Sequence, residues 1–390
     1  MRDQSNSGLG GALKWRAVIA AALVAACTAT AHAAVFGTDR RGPVPPQYQS
    51  VHGKIGLLFN NHSRTVCSAF CVAPNVIATA AHCLFRTNGE AQPKIADFWF
   101  VRAYDKDREY SRIAGFSNSS AAQNVLAGET HLNIRPPIDA ASDWALVRLS
   151  RPACHKGFLK LQPMPADQVI EAAHKGQVFQ ISYHRDYPDW RAAYSKPCEV
   201  ERQFGKTGWA AISRDFANPD SLLLHKCDTG GASSGSPMLV DGPAGPAVIG
   251  INVGTYVQSK VLVRDGQVSK QFDSDTIANT AVNIAALHAN LNAFITLDTI
   301  ASGPRLKELQ HRLKALNYYQ GVVDGGFGEQ TRAAILAYER ASGLPARGLA
   351  TEEVLASLHN ASPSSEKRPI AQSRRPAPPS QQASFRKTKG

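Results

Sequence analysis

The chain has 390 residues, 43% of them hydrophobic and 19% charged, with 43 Lys+Arg against 31 Asp+Glu for a formal charge of +12. That composition supplies enough apolar surface for packed cores, which excludes wholesale disorder, and at about 150 residues per domain the length predicts two domains plus additions. No internal stretch reaches the roughly 20 apolar residues needed to cross a bilayer, so a multi-span membrane protein is excluded too.

Lys14 and Arg16 precede the apolar run Ala17–Ala26, and Ala31-His32-Ala33 then supplies small residues. A basic region, a short apolar core and a small-residue site together read as a secretory signal over 1–33, cut before Ala34. A lone N-terminal anchor is the competing reading. Val24-Ala25-Ala26-Cys27 also fits a bacterial lipobox, whose Cys27 would carry lipid. Cysteines stand at 27, 67, 71, 83, 154, 198 and 227. Setting Cys27 aside leaves an even set suited to three disulfides in an oxidising compartment, with the pairing left open by spacing. Cys67-x-x-x-Cys71 lacks a matching second ligand pair, so no metal is expected.

From about Gly53 to Tyr256, short apolar runs alternate with turn residues: Ile55–Phe59, Asp97–Val101, Trp144–Val147, Gln177–Ile181, Leu222–Leu224 and Ala247–Ile251. Asp241-Gly242 and Asp265-Gly266 are hairpin signals, since both residue types tolerate positive φ. Such punctuation predicts an all-β sandwich or barrel. Ile284, Leu287, Leu291 and Phe294/Ile295 then fall at helical spacing, so the β domain ends on an amphipathic helix. After Ser302-Gly303-Pro304 a smaller unit follows. Leu306, Leu309, Leu313 and Leu316 form one helical stripe, Thr331–Tyr338 a second helix capped by Thr331, and Thr351–Leu358 a third capped by Thr351. Three short helices have a core near the size limit for independent folding. Ala361–Gly390 carries five Pro, six Ser and seven basic residues against one acid. It is read as a disordered basic tail, attracted to anionic envelope polymers if to anything.

Three segments of the β region carry chemistry. Thr79-Ala-Ala-His82-Cys83 ends an apolar run on a histidine, Ser142-Asp143-Trp144 sets an acid before another run, and Cys227–Pro237 is a small-residue loop holding Ser234. A hydroxyl is a weak nucleophile until a base takes its proton, and an imidazole does so when a buried carboxylate fixes its tautomer. A glycine-rich turn lets backbone N–H groups converge on a developing oxyanion.

T-A-A-H-C, D-W-A-L and S-G-S-P resemble the three signatures of the chymotrypsin-like (trypsin-fold) serine peptidases, over roughly Gly37–Leu297. The Ser-Gly-Ser-Pro ending is similar to the bacterial glutamyl-endopeptidase-like branch. The resemblance implies an all-β double six-stranded barrel over 34–300. It makes Ser234 the nucleophile, His82 the base and then acid, and Asp143 the orienting carboxylate, with the Ala232 and Ser234 amides as oxyanion hole. It also implies a substrate pocket containing Asp228, Thr229, Asn252 and Gly254, and disulfides Cys67–Cys83, Cys198–Cys227 and Cys71–Cys154. Asp228 favours cleavage after basic residues, with a structural acid bonding local N–H groups as the alternative. Two departures stand out. Ala232 occupies a position where relatives carry glycine, so any positive φ there costs energy and a weak or inactive pseudoprotease is the alternative. Ser233 replaces the aspartate that pairs with a new N-terminus in zymogen-type relatives, so activity without N-terminal processing is expected.

Leu306…Leu316-Asn-Tyr-Tyr319, Gly321-x-x-Asp324-Gly325-x-Phe327-Gly328, Thr331-Arg332-x-Ala334-Ile335 and Gly343-Leu-Pro345 resemble the bacterial three-helix peptidoglycan-binding module. This places that unit at 304–359 and the tail at 360–390. Glu339 stands where the family has glutamine. Together these features imply an exported, monomeric serine endopeptidase of the periplasm or cell envelope. It would be tethered to peptidoglycan, act on protein or peptide, need no cofactor and bind no nucleic acid. Cleavage of peptidoglycan stem peptides is the alternative substrate.

Overall fold

Runs of Val, Ile, Leu and Phe between turn formers become strands, because such side chains fit a pleated, buried surface. The computed structural model describes residues 34–86, 90–196, 198–204, 208–264 and 267–361. The strands are β1 (Arg41–Pro43), β2 (Ile55–Asn60), β3 (Thr65–Ala73), β4 (Val76–Thr79), β5 (Trp99–Arg102), β6 (Glu109–Arg112), β7 (Val125–Ala127) and β8 (Ala145–Arg148). They continue as β9 (Lys160–Leu161), β10 (Val178–Tyr183), β11 (Ala192–Ser195), β12 (Leu222–His225), β13 (Pro237–Val240), β14 (Ala247–Arg264) and β15 (Gln267–Asn283). The leader expected over 1–33 with Cys27, the basic tail expected from 360 (residues 362–390) and the expected hairpin turn at Asp265-Gly266 lie outside the described residues.

One sheet has seven strands in the order β6-β5-β2-β3-β4-β8-β7. The other runs β1-β11-β10-β13-β14-β15-β12, with β9 added in parallel to β14. The two antiparallel β sheets expected of the fold are therefore present, with seven and eight strands among the described residues. Helix Ala285–Thr296 follows, burying Leu287, Leu291 and Phe294. Helix Ala166–His174 was not legible in the sequence, because it buries only Val169, Ala172 and Ala173.

Strand register decides what meets at the sheet ends. β4 pairs with β8, Thr79 opposite Ala145. The residues just past one strand end, including His82, thus lie beside those just before the other, including Asp143. The two sheets are tied by Asp105, which accepts hydrogen bonds from Tyr183 Oη (2.8 Å) and Ala192 N (3.1 Å) and pairs with His52 Nε2 (2.8 Å).

The C-terminal unit has helices Pro304–Ala315, Glu329–Ser342 and Glu352–Asn360. Thr351 Oγ1 caps the third by accepting Val354 N–H at 3.1 Å. Thr331 is not the cap of the second. That position is Gly328, while Thr331 is buried one turn in and accepts from Gln310 Nε2 (3.2 Å). Gln310 reads the connecting loop as well, donating to Asp324 Oδ1 and Gly326 O and accepting Gly325 N–H. The small core is not isolated. Leu306, Leu309, Ile335 and Leu355 belong to the same buried cluster as Phe70, Leu146 and Phe294 of the β region. No helix among the described residues is long and apolar enough to cross a membrane.

Candidate active site

His82 sits in the single turn Ala81–Cys83 that follows β4. Its Nδ1 lies 2.6 Å from Asp143 Oδ2, and its backbone N–H donates to Asp143 Oδ1 at 2.9 Å. The carboxylate therefore grips both ring and main chain, which fixes the ring's orientation and leaves Nε2 free to act. Asp143 is only 6% exposed. Burial opposes charge on His82, but the field and hydrogen bond of Asp143 outweigh it, so the His82 pKa is raised above its ordinary value.

The serine loop reaches this dyad from the other sheet, held largely by Ser68 on β3. Ser68 N–H donates to Ser234 O (2.8 Å), and Ser68 Oγ donates to Ala232 O (2.9 Å) while accepting Tyr183 N–H (3.1 Å). The Cys67–Cys83 disulfide lies alongside, with Cys83 Sγ 3.9 Å from both His82 Nε2 and the Ser234 carbonyl oxygen. Among the described residues no hydrogen bond joins Ser234 Oγ to His82 Nε2; such pairs are commonly loose without substrate and tighten with it. Gly235 must be glycine. Its φ is +83°, and a Cβ there would run into Thr79 Oγ1 and the Ser68 carbonyl.

The loop's amides divide into used and free. Gly230 N–H donates to His184 Nδ1 (2.8 Å) and Ser233 N–H to Gly230 O (3.1 Å). The Gly231 carbonyl accepts Arg185 N–H (2.5 Å), and the Ala232 carbonyl is taken by Ser68. Among the described residues the N–H groups of Ala232 and Ser234 have no acceptor. A trans peptide aims its N–H opposite its carbonyl, so tying Gly231 O to Arg185 turns the Ala232 N–H the other way. Ala232 holds φ = +78°, the left-handed conformation whose cost its side chain raises.

A small, partly open pocket is lined by residues 229–234 with Asn252, Gly254 and Thr255. Thr229, Asn252 and Gly254, expected in a substrate pocket, are among the residues that line it. Asp228 is not. It is fully buried behind the pocket, and its carboxylate accepts Phe36 N–H, Arg40 N–H and Arg40 Nε–H at 2.9, 2.9 and 3.2 Å. It clamps the segment that holds Phe36 and Arg40 and is not among the residues that line the pocket. That segment also bonds the pocket wall, Thr229 N–H donating to Ala34 O at 2.9 Å.

Two buried histidines went unread in the sequence. His184 and His225 each accept a loop N–H on Nδ1, from Gly230 (2.8 Å) and Cys227 (3.2 Å). Burial lowers both pKa values to about 4, so both are neutral at pH 7. A lone histidine in a strand, like His225, or just past one, like His184, has no pattern that separates such a brace from ordinary core. The remaining cysteines pair as Cys71–Cys154 and Cys198–Cys227. Cys67, Cys83 and His82 cluster closely, but sulfurs joined to each other offer no thiolate to a metal.

Residues 67–251 match the family model of the trypsin-like peptidase domain. This chain carries a trypsin-like peptidase domain. Residues 302–358 match the model of a peptidoglycan binding domain, which packs beside it. Among curated proteins, the N-acetylmuramoyl-L-alanine amidase CwlM of Mycobacterium tuberculosis (strain ATCC 25618 / H37Rv) is 46% identical over 57 residues. The match covers 15% of this chain and only 14% of that protein's length. Among solved structures, a Glu endopeptidase in complex with MPD is 15% identical, covering 67% of this chain and 98% of that one at a TM-score of 0.42.

Proposed function

We propose that the chain is an exported serine endopeptidase, held at the cell wall by its peptidoglycan-binding domain. The observation carrying this reading is the His82–Asp143 pair at 2.6 Å, facing a loop whose Ala232 and Ser234 amides lack acceptors. Ser234 Oγ attacks the substrate carbonyl as His82 Nε2 takes its proton, and Asp143 stabilises the imidazolium. The Ala232 and Ser234 amides receive the oxyanion, where one such donor contributes about 3 kcal/mol. His82 then protonates the leaving amine, and water hydrolyses the acyl-enzyme. Three disulfides and the wall-binding domain are consistent with an oxidising, extracytoplasmic site. With Asp228 engaged elsewhere, the pocket offers no fixed charge among its lining residues, and cleavage after basic residues is not part of the proposal.

A second reading concerns substrate. The peptidoglycan-binding domain packs directly onto the peptidase domain, which favours cleavage of stem peptides close to where the wall is bound. Labelling of the full-length mature protein by a fluorophosphonate, beside Ser234→Ala, tests the first reading. Labelling confined to wild type is expected, and folded wild type that stays unlabelled makes the chain a wall-binding pseudoprotease. Incubation with purified sacculi and with denatured protein separates the substrates. Peptides released from sacculi by wild type and not by Ser234→Ala select the stem-peptide reading.

A further inference from the structure

We propose that His225 and Asn252 are positioning residues, a buried neutral chain that sets the residue before the nucleophile and so holds the oxyanion loop in shape. The chain runs Cys227 N–H to His225 Nδ1 (3.2 Å), His225 Nε2–H to Asn252 Oδ1 (3.1 Å), and Asn252 Nδ2–H to Ser233 Oγ (3.2 Å). Its direction is forced. Cys227 N–H can only donate, so Nδ1 is bare and the ring proton sits on Nε2. That proton fixes Asn252 Oδ1 as acceptor and turns the amide nitrogen toward Ser233.

Cys227, His225, Asn252 and Ser233 are all at most 2% exposed, so water cannot replace a missing partner and each broken link strands a polar group. Asn252 also grips the loop through its main chain, accepting Gly235 N–H (2.7 Å) and donating to Ser236 O (2.9 Å). Ser233 lies between Ala232 and Ser234, whose amides lack acceptors among the described residues, so displacing it displaces both donors. No charge takes part, so the arrangement needs no partner from a newly cut chain end. The proposal rests on the peptidase reading only in assigning those amides to an oxyanion; the bracing itself is a property of the fold.

The test uses full-length, disulfide-intact protein with Ser233→Ala, His225→Leu and His225→Gln. Glutamine is the conservative variant, since its oxygen can accept Cys227 N–H while its nitrogen donates to Asn252. Three readouts are taken: phosphonylation rate with a small fluorophosphonate, kcat and KM on a peptide ester, and hydrogen exchange of the Ser233, Gly235 and Ser236 amides. Ser233→Ala and His225→Leu are expected to lower the phosphonylation rate and kcat about tenfold with KM within about twofold, and to speed exchange of those amides alone. His225→Gln is expected to recover most of the loss. Unchanged exchange in Ser233→Ala overturns the proposal whatever the activity, and so does a kcat loss in which His225→Gln fares no better than His225→Leu. If His225→Leu fails to fold, Ser233→Ala decides alone. Folded wild type that resists phosphonylation sinks the peptidase reading and leaves the exchange result to judge the bracing.

Discussion

At Ala232 the chain holds φ = +78° with a side chain in place, at a steric cost of about 1–2 kcal/mol. Glycine removes that cost but gives back roughly 0.4–1 kcal/mol through a freer unfolded chain. Ala232→Gly is therefore expected to stabilise the protein by about 0.5–1 kcal/mol, with kcat equal or higher because the free amide keeps its place. A shift of the urea midpoint measures the first part; a lower midpoint or a lower kcat would mean that Ala232 is not strained. His82 sets the pH response. Only the neutral ring accepts the Ser234 proton, and its pKa is raised by Asp143 against burial. The acid limb of kcat/KM should accordingly have its midpoint above 6.5, and Asp143→Asn should move that midpoint down while cutting kcat severely. Stability runs the other way: the charged pair contributes fully below 6.5, and its contribution is lost as pH rises through the raised pKa. A wild-type limb centred below 6.5 would remove Asp143 as its cause.

Helix Glu329–Ser342 carries a buried carboxyl at Glu339, only 2% exposed, whose Oε2 accepts Arg347 N–H and Gly348 N–H at 2.8 Å each. Burial raises its pKa to about 7 against those bonds. A raised carboxyl pKa means the native state favours the proton, so stability is full below the unfolded value of 4.5 and falls as pH climbs from there to about 7. Glu339→Gln keeps an acceptor oxygen and cannot ionise. Its advantage over wild type should grow between about pH 4.5 and 7 and level off at roughly 3 kcal/mol above that; urea midpoints that stay parallel for the two proteins from about pH 4.5 to 8 would refute it. The same helix illustrates how far the sequence could be read. Its apolar spacing, the caps and the His82–Asp143–Ser234 set are local or chemically exceptional, and they stand out in one chain. Thr331 looked like a cap because cap residues and buried loop-binders share the same side chains. Asp228 looked like a pocket acid because nothing within the loop reveals that its partners, Phe36 and Arg40, come from the far end of the chain. Ser68, His184 and His225 act through contacts distant in sequence, which periodicity cannot register.

The peptidoglycan-binding domain is built into the molecule rather than hung from it. Arg332 is buried at the join, its guanidinium donating to the Ala122 (2.7 Å) and Val125 (3.3 Å) carbonyls and stacking on Phe327 at 5.0 Å. Gln123 bridges back, donating to Ile300 O (2.9 Å) and accepting Ala350 N–H (3.1 Å), and His131 pairs with Glu329 at 2.7 Å. A three-helix core of this size is marginal alone, and sharing apolar side chains with the β region supplies what it lacks. Cooperative units share buried contacts, so one calorimetric transition is expected for the whole chain. Arg332→Met keeps the stem's packing but strands the two carbonyls, at about 1–3 kcal/mol each when unsatisfied. It should lower stability, and it should make the helical unit open before the β region, seen as earlier hydrogen exchange in residues 304–360. The proposed triad of His82, Asp143 and Ser234 lies in the β region, so kcat on a small ester should be unchanged at temperatures below that opening. Two separate transitions in wild type, or a fall in kcat without any change in exchange, would show that the domains are coupled differently from the way these contacts connect them.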